Sequence, residues 1–323
     1  MAERILPVAA VERGAPGGWT VPDESPMPRL KGATLDATQP AGEAFLALAG
    51  TGFATLARRA AVTPDPADIE TIHQLRVAAR RLRSLVAGFR GVVGPAAEAK
   101  LKTELRWLQQ SLGPARDLDV FAADMLGPLL RRHPEDASLA ALRDTVERQR
   151  RLAYRRAVRT LATRRFAAFV EEAPARLAEG SWTEGAGVKA LARPVGEHAR
   201  RVLAKADRRL RRKGDKHHEL TLPELHEMRL AAKKLRYAGE TFRALWPRAA
   251  SRTYLARVEA IQDSLGAVND AATGEALLAG LPGVDPAAHA LVTGWLTARL
   301  EASLERFPAV WRDYARARPW WGG

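Results

Sequence analysis

The stretch His73-Gln-Leu-Arg-Val-Ala-Ala-Arg-Arg-Leu-Arg83 returns 153 residues later as His226-Glu-Met-Arg-Leu-Ala-Ala-Lys-Lys-Leu-Arg236. The same offset lays Phe89 on Phe242, Gln109 on Gln262, Leu112 on Leu265, Gly113 on Gly266 and Asp117 on Asp270. Over positions 73–117 it gives 15 identities in 45 without a gap. Alanine-rich composition accounts for matches such as Ala78 with Ala231. It does not account for His, Phe, Gln, Gly and Asp falling in one register, so the chain reads as an internal duplication.

At about 100° per residue the first copy sorts into two arcs. Leu75, Ala78, Ala79, Leu82, Leu85, Val86 and Phe89 share one, and His73, Arg76, Arg80, Arg81 and Arg83 lie opposite. No acidic residue interrupts the run from His73 to Ala97. Repulsion between cations one turn apart, such as Arg76 and Arg80, costs a few tenths of a kcal/mol and goes unrelieved within the helix. The second copy repeats the face with His226, Arg229, Lys233, Lys234 and Arg236, where Glu227 and Glu240 give some relief. A lone basic face is usually solvated and paired with acids elsewhere. A face that recurs in both halves points instead to a ligand. From position 73 to 83 is roughly 15 Å of helix, enough to touch several phosphates of a linear chain.

Composition agrees. The chain has 323 residues, 46% of them hydrophobic, and 51 Lys plus Arg against 37 Asp plus Glu, a formal charge of +14. A surplus of that size draws anions to the surface without naming one. Arginine supplies 42 of the 51 cations, and a guanidinium suits bidentate phosphate contacts. The absence of cysteine excludes disulfides, thiolate metal sites and cysteine nucleophiles. No apolar run approaches the roughly 18 residues that span a bilayer. Met1 to Arg13 carries Glu3 and Glu12 and no continuous apolar core, so no signal peptide is expected and the expected location is cytoplasmic.

Residues 1–39 hold most of the early prolines and read as a flexible Pro/Gly-rich leader. Helical periodicity then predicts helices near 42–60, 67–91, 96–112, 117–132, 137–162 and 164–179. A second series follows near 187–213, 222–245, 248–265, 268–280, 285–304 and 304–317. Runs of β-branched residues are nearly absent, so strands have little to build on. Glu179 to Gly187, with its glycines and Trp182, divides a first repeat (40–179) from a second (187–320). The predicted class is all-α.

Other features are weaker. Arg201, Lys205 and Arg208 crowd the helix before His226, and Arg155 and Arg159 share a stripe of the helix near 137–162. Each could extend a phosphate track or be plain surface charge. His73 and His226 lack the His, Asp or Glu at i+3 or i+4 that a helical metal pair needs, and His217 and His218 are adjacent and point apart, so no metal site is expected. Leu112-Gly-Pro-Ala-Arg-Asp-Leu-Asp-Val120 reads as a helix end and a new start, with Asp117 as N-cap. Asp119 has no acidic counterpart in the second copy, so capping and pairing to arginines suits these aspartates better than metal-dependent hydrolysis. Arg116 is a further candidate contact in this segment. Neither a phosphate-binding Gly-rich loop nor a Gly-x-Ser-x-Gly elbow occurs, and no catalytic constellation is found.

On the two His-x-x-Arg segments, Leu112 to Val120 and Gln262-Asp-Ser-Leu-Gly-Ala-Val-Asn-Asp270, the chain resembles the CHAD (conserved histidine α-helical domain) family over roughly 40–320. The resemblance implies two helical bundles related by a pseudo-twofold, with basic residues lining a central groove or channel that binds inorganic polyphosphate. Its motif cations carry over to Arg76, Arg80, Arg81, Arg83, Arg229, Lys233, Lys234 and Arg236, with His73 and His226 beside them. Some members are fused to a CYTH-type triphosphate hydrolase, for which the leader is too short. The expectation is a non-catalytic binding protein without cofactor, in the cytoplasm and associated with polyphosphate granules. One alternative is nonspecific nucleic-acid binding, although these basic faces carry only Tyr237 for base stacking. Another is an enzyme, through phosphohistidine at His73 or His226 or hydrolysis by Asp117 and Asp119.

Overall fold

A computed structural model of the chain describes residues 35–215 and 219–322. The leader up to residue 34 and the pair His217 and His218 lie outside the described residues. The first half runs α1 (Ala41–Ala60), α2 (Ile69–Gly88), α3 (Pro95–Val120), a π-helical stretch (Phe121–Leu126), α4 (Gly127–Arg132), α5 (Ala137–Leu161) and α6 (Arg164–Ala178). The second runs α7 (Val188–Leu191), α8 (Val195–Gly214), α9 (Leu222–Phe242), α10 (Arg248–Ser264), α11 (Gly266–Gly280) and α12 (Pro286–Ala315). Among the described residues there is no strand, and extended pairing is confined to isolated bridges. The fold is all-α.

Helix starts follow local chemistry. Asp68 accepts from the Glu70 N–H at 3.1 Å to open α2, and Asp136 accepts from Ser138 and Leu139 at 2.9 and 3.0 Å to open α5. Thr221 and Glu224 form a capping box at α9, with the Thr221 N–H donating to the Glu224 carboxylate at 2.9 Å. Prolines at the first turn open α3, α9 and α12, where the missing N–H costs nothing.

Two expected breaks are not there. α3 runs through Gly113 and Pro114 without ending, so Asp117 lies inside a helix and caps nothing. Pro114 cannot donate to the Gln110 carbonyl four residues back; the adjoining Gln109 carbonyl accepts from Arg76 at 2.7 Å. Likewise 285–304 and 304–317 are one helix, α12, with Pro308 inside it. The opposite error occurs at 187–213, which Pro194 divides into α7 and α8. The segment between the halves is packed rather than loose. Trp182 is buried against Phe45 at 5.0 Å between centroids, and its carbonyl accepts from Gly94 at 2.8 Å.

The apolar arcs face inward as the periodicity requires. α2 buries Ile72, Leu75, Ala78, Ala79, Leu82, Leu85 and Val86, and α9 buries Leu225, Met228, Ala231, Ala232, Leu235 and Phe242. α2 packs between α1 and α3, α9 packs between α8 and α10, and α2 also packs on α9. At Gly52 on α1 a Cβ would come within 2.5 Å of Leu82 Cδ2, so α1 lies as close to α2 as a residue without a side chain permits.

Contacts between the halves involve residues that correspond in the repeat. Phe89 and Phe242 meet at 5.3 Å between ring centroids. His198 of α8 is buried beside them, 5.1 Å from Phe89 and 5.9 Å from Phe242, with Nε2 2.8 Å from the Gly88 carbonyl. The segments leading into α1 and α8 run antiparallel: Ala41 donates to Arg193 and Val195 donates to Gln39, both at 2.8 Å. Pro40 and Pro194, the residues before the two helices, form the bridge.

Candidate anion-binding site

With their apolar arcs buried in opposite halves, α2 and α9 bring parts of their basic arcs to a common cleft of about 290 Å³. From α2 it takes His73, Arg76, Val77 and Arg80, and from α9 it takes Arg229. The wall is completed by Arg116, Asp117, Val120 and Met125 on one side and by Asn269, Asp270 and Thr273 of α11 on the other. Corresponding positions of the repeat therefore recur in it: Arg76 and Arg229, Arg116 and Asn269, Asp117 and Asp270.

Each half fixes its own arginine. Arg76 donates through Nη1 to the Gln109 carbonyl of α3, and Arg229 donates through Nη1 to Asn269 Oδ1 of α11 at 3.2 Å. Burial works against the charge of both guanidiniums, while Asp117 favours that of Arg76 and Asp270 that of Arg229. Burial also raises Asp117 and Asp270 from their ordinary carboxylate value, against the pull of Arg76 and Arg116 on the first and of Arg299 and Arg229 on the second. The aspartates thus line the cleft together with the cations that oppose them.

Arg80 lies at the junction, with its guanidinium carbon 5.2 Å from the centre of the Tyr237 ring in the other half. The Nε atoms of Arg80 and Arg229 are buried and unpartnered among the described residues. A buried charged donor without an acceptor is costly. Such atoms in a cleft lined by cations mark a place where acceptors are wanted. Lys233 is half-buried and lies outside the cleft lining, within electrostatic reach of these arginines. Burial first, then Arg229, Arg80 and Arg76, push its ammonium down to about 8.

The remaining candidates divide. Arg83 is exposed and donates to Gln109 Oε1 at 2.7 Å. Arg236, its counterpart, pairs with Glu240 and with Glu259 of α10, each at 2.9 Å, so its charge is already balanced. Arg81 and His226 are half-buried and Lys234 is exposed, and all three lie outside the cleft lining. Arg155, Arg159, Arg201, Lys205 and Arg208 are exposed and also lie outside it, with Arg201 paired to Glu197 at 2.6 Å.

Asp119 belongs to a different feature. It is buried between Arg150, whose Nε donates at 3.0 Å, and the Tyr154 hydroxyl at 2.9 Å. Arg150 also donates to the Pro66 carbonyl at 2.9 Å, tying α5 to the loop before α2. The residues that sequence reasoning missed are Asn269, Thr273, Met125, Val77 and Val120 in the lining, and Arg299 beside Asp270. Asn269 was within reach, because the offset of 153 lays Arg116 on it. A larger cavity of about 440 Å³ lies between α3 and α6, but its wall is chiefly apolar, with Leu101, Phe169, Leu177 and Trp182. The converging cations are in the smaller one.

A family model for the CHAD domain matches residues 47–279. The crystal structure of the CHAD domain from the plant Ricinus communis superposes with a TM-score of 0.75 at 26% identity, covering 92% of this chain and 98% of that one. PptA from Streptomyces chartreusis is similar in fold, with a TM-score of 0.59 at 19% identity, covering 84% of this chain and 99% of that one. No curated protein matches the chain. No helix among the described residues is long and apolar enough to cross a membrane.

Proposed function

Since the chain belongs to the CHAD domain family, we propose that it is a non-catalytic protein that binds inorganic polyphosphate through the facing basic arcs of α2 and α9. The observation that carries this reading is the cleft itself, where Arg76, Arg80, Arg116 and Arg229 converge and two guanidinium Nε atoms are buried without acceptors. A phosphate chain supplies acceptors and compensating charge at once. The exposed Arg83 and Lys234 flank this segment of α2 and α9 and lengthen the track beyond the cleft.

A binding rather than catalytic role is supported by how the aspartates are used. Asp117 and Asp270 face arginines, and Asp119 is enclosed by Arg150 and Tyr154. Nucleic acid is a poorer match because base stacking needs a free aromatic face, and Tyr237, the aromatic of these basic arcs, has Arg80 over its ring. The accompanying proposal for location is the cytoplasm, in association with polyphosphate granules.

The test is equilibrium binding of long-chain polyphosphate at near-physiological salt, with DNA and RNA of similar charge as competitors. Arg76→Gln/Arg229→Gln is measured alongside, its folding checked by circular dichroism. Tight binding that nucleic acid does not displace, and that falls by more than about tenfold in the folded variant, is the expected result. Equal displacement by nucleic acid, or an indifferent variant, refutes the reading.

A further inference from the structure

The Arg80 guanidinium is held differently from those of Arg76 and Arg229. Arg76 is oriented by the Gln109 carbonyl and Arg229 by Asn269, each within its own half. Among the described residues the Arg80 guanidinium makes no hydrogen bond and no ion pair, and its Nε is buried without an acceptor. What it rests on is the ring of Tyr237, whose centre lies 5.2 Å from the guanidinium carbon. Tyr237 is on α9 and Arg80 on α2, so the contact crosses the seam where the two helices pack. The offset of 153 lays Arg80 on Lys233 and Ser84 on Tyr237. The exchange is chemically consistent, because a planar guanidinium stacks on an aromatic ring and an ammonium is a compact point charge without a flat face. Ser84 turns its hydroxyl back to the Arg80 carbonyl of its own helix, to which it donates at 2.9 Å. The second repeat therefore supplies an aromatic support, and the first supplies the cation that lies on it.

We propose that Tyr237 is a positioning residue for anion binding, holding the Arg80 guanidinium across the seam so that its N–H edge serves the cleft. The inference rests on the polyphosphate reading of the cleft and adds to it a residue outside the cleft lining. Arg80 lines the cleft with His73, Arg76 and Arg229, so a ligand that meets those side chains meets Arg80 as well. A ring over one face of a guanidinium leaves its donors, which all lie in the plane, to oxygen acceptors. It also orders a long side chain before the ligand arrives, which lowers the entropy lost on binding. The attraction between cation and ring does not neutralise the cation, so the full charge remains for phosphate. A carboxylate in the same place would hold the arginine and cancel its charge. That is the situation of Arg236 on the same helix, engaged by Glu240 and Glu259.

Two charge-preserving substitutions test the contact from its two sides. Tyr237→Leu removes the ring, and Arg80→Lys keeps the cation without a flat group to stack. Each is expected to weaken the Kd for long-chain polyphosphate about three- to tenfold at near-physiological salt, with folding verified by circular dichroism. The double variant should be no more than about twofold weaker than either single one, because both remove the same contact. Tyr237→Phe keeps the ring and should rescue binding to within about twofold of the natural protein. In protein labelled with 15N at arginine Nε, the Arg80 N–H resonance is assigned by its loss in Arg80→Lys. It should shift in Tyr237→Leu and stay in place in Tyr237→Phe, as a group lying over a ring face does. Losses that multiply in the double variant overturn the inference, as does a Tyr237→Phe protein as weak as Tyr237→Leu. So does a Tyr237→Leu protein that binds within about twofold of the natural one, or one that leaves the Arg80 resonance unmoved. Failure of the natural protein to bind polyphosphate overturns the reading of the cleft, whereas the resonance still decides whether the ring holds Arg80.

Discussion

Replacing Lys233 by Met should make the empty protein more stable while making it a poorer binder. Its ammonium is pushed from 10.5 down to about 8 by burial and by Arg229, Arg80 and Arg76. At about 1.4 kcal/mol per pH unit, holding the charge in place at neutrality costs the fold about 3 kcal/mol at most. Methionine keeps most of the length and packing of the aliphatic stem and removes the charge. Part of the cost is screened by solvent, so the expected gain is about 1–3 kcal/mol at pH 7. Below about pH 8 the lysine is charged in both native and unfolded chains, and the native state carries the whole penalty. As pH rises from about 8 toward 10.5 the native lysine deprotonates first, the unfolded state binds more protons, and the stability of the natural protein climbs toward that of the variant. Urea unfolding followed by circular dichroism at about pH 7 and pH 9.5 measures both ends of this interval. The reasoning is refuted if Lys233→Met is less stable than the natural protein at pH 7, or if the gap between them does not shrink at the higher pH.

Neutralising the outer cations together, as Arg155→Gln, Arg159→Gln, Arg201→Gln, Lys205→Gln and Arg208→Gln, should change polyphosphate affinity at physiological salt by less than about threefold, because exposed charges away from the ligand are largely screened. A loss comparable to that of Arg76→Gln/Arg229→Gln would move the site out of the cleft. Arg150→Met should destabilise by about 3–5 kcal/mol, since it leaves the Asp119 carboxylate buried with Tyr154 as its remaining partner. Tyr154→Phe should cost about 1–2 kcal/mol in the same urea assay, the loss of one buried hydrogen bond. Burial holds His198 below its ordinary value of 6.5. The unfolded chain therefore takes up the proton first, and stability should decline as pH falls below about 6.5. His198→Gln, compared by thermal melts across that range, should flatten the decline.

The helices that matter most were legible because two periodicities agreed. The apolar residues of 73–89 recur at helical spacing, and the repeat offset shows the same spacing a second time, so the burial of Leu75, Leu82, Phe89, Met228, Leu235 and Phe242 follows from the pattern. The misreading at Gly113 and Pro114 has a physical origin. Proline is a stop signal because it frees a carbonyl and crowds the preceding turn. Here the helix continues through both residues, and Arg76, thirty-three residues earlier, docks on the Gln109 carbonyl next to the one the proline frees. A partner brought by tertiary packing is invisible to any local rule. The same limit applies to Arg236. Its pairing with Glu240 is an i,i+4 contact that the sequence displays, but Glu259 arrives on another helix. Asp117 reads as a cap from its neighbours, and it proves to be a counter-charge because the helix it was to start had never ended.

The repeat also explains why the cations accumulate where they do. An amphipathic helix must bury its apolar arc, and α2 and α9 each do so within their own half, against α1 and α3 and against α8 and α10. Bringing the halves together through Phe89 and Phe242 then leaves the opposite arcs facing one another over part of their length. Charges of one sign meeting across a cleft oppose this packing, and the lowered ammonium of Lys233 and the unpartnered Nε atoms of Arg80 and Arg229 record the conflict. Asp117 and Asp270 oppose it with two carboxylates, both raised from their ordinary value by burial. A fold selected for stability alone would relieve that conflict with neutral side chains, as Lys233→Met is expected to do. Its persistence in both repeats is accounted for if the cleft is occupied in use by an anion that supplies the missing acceptors and the missing charge.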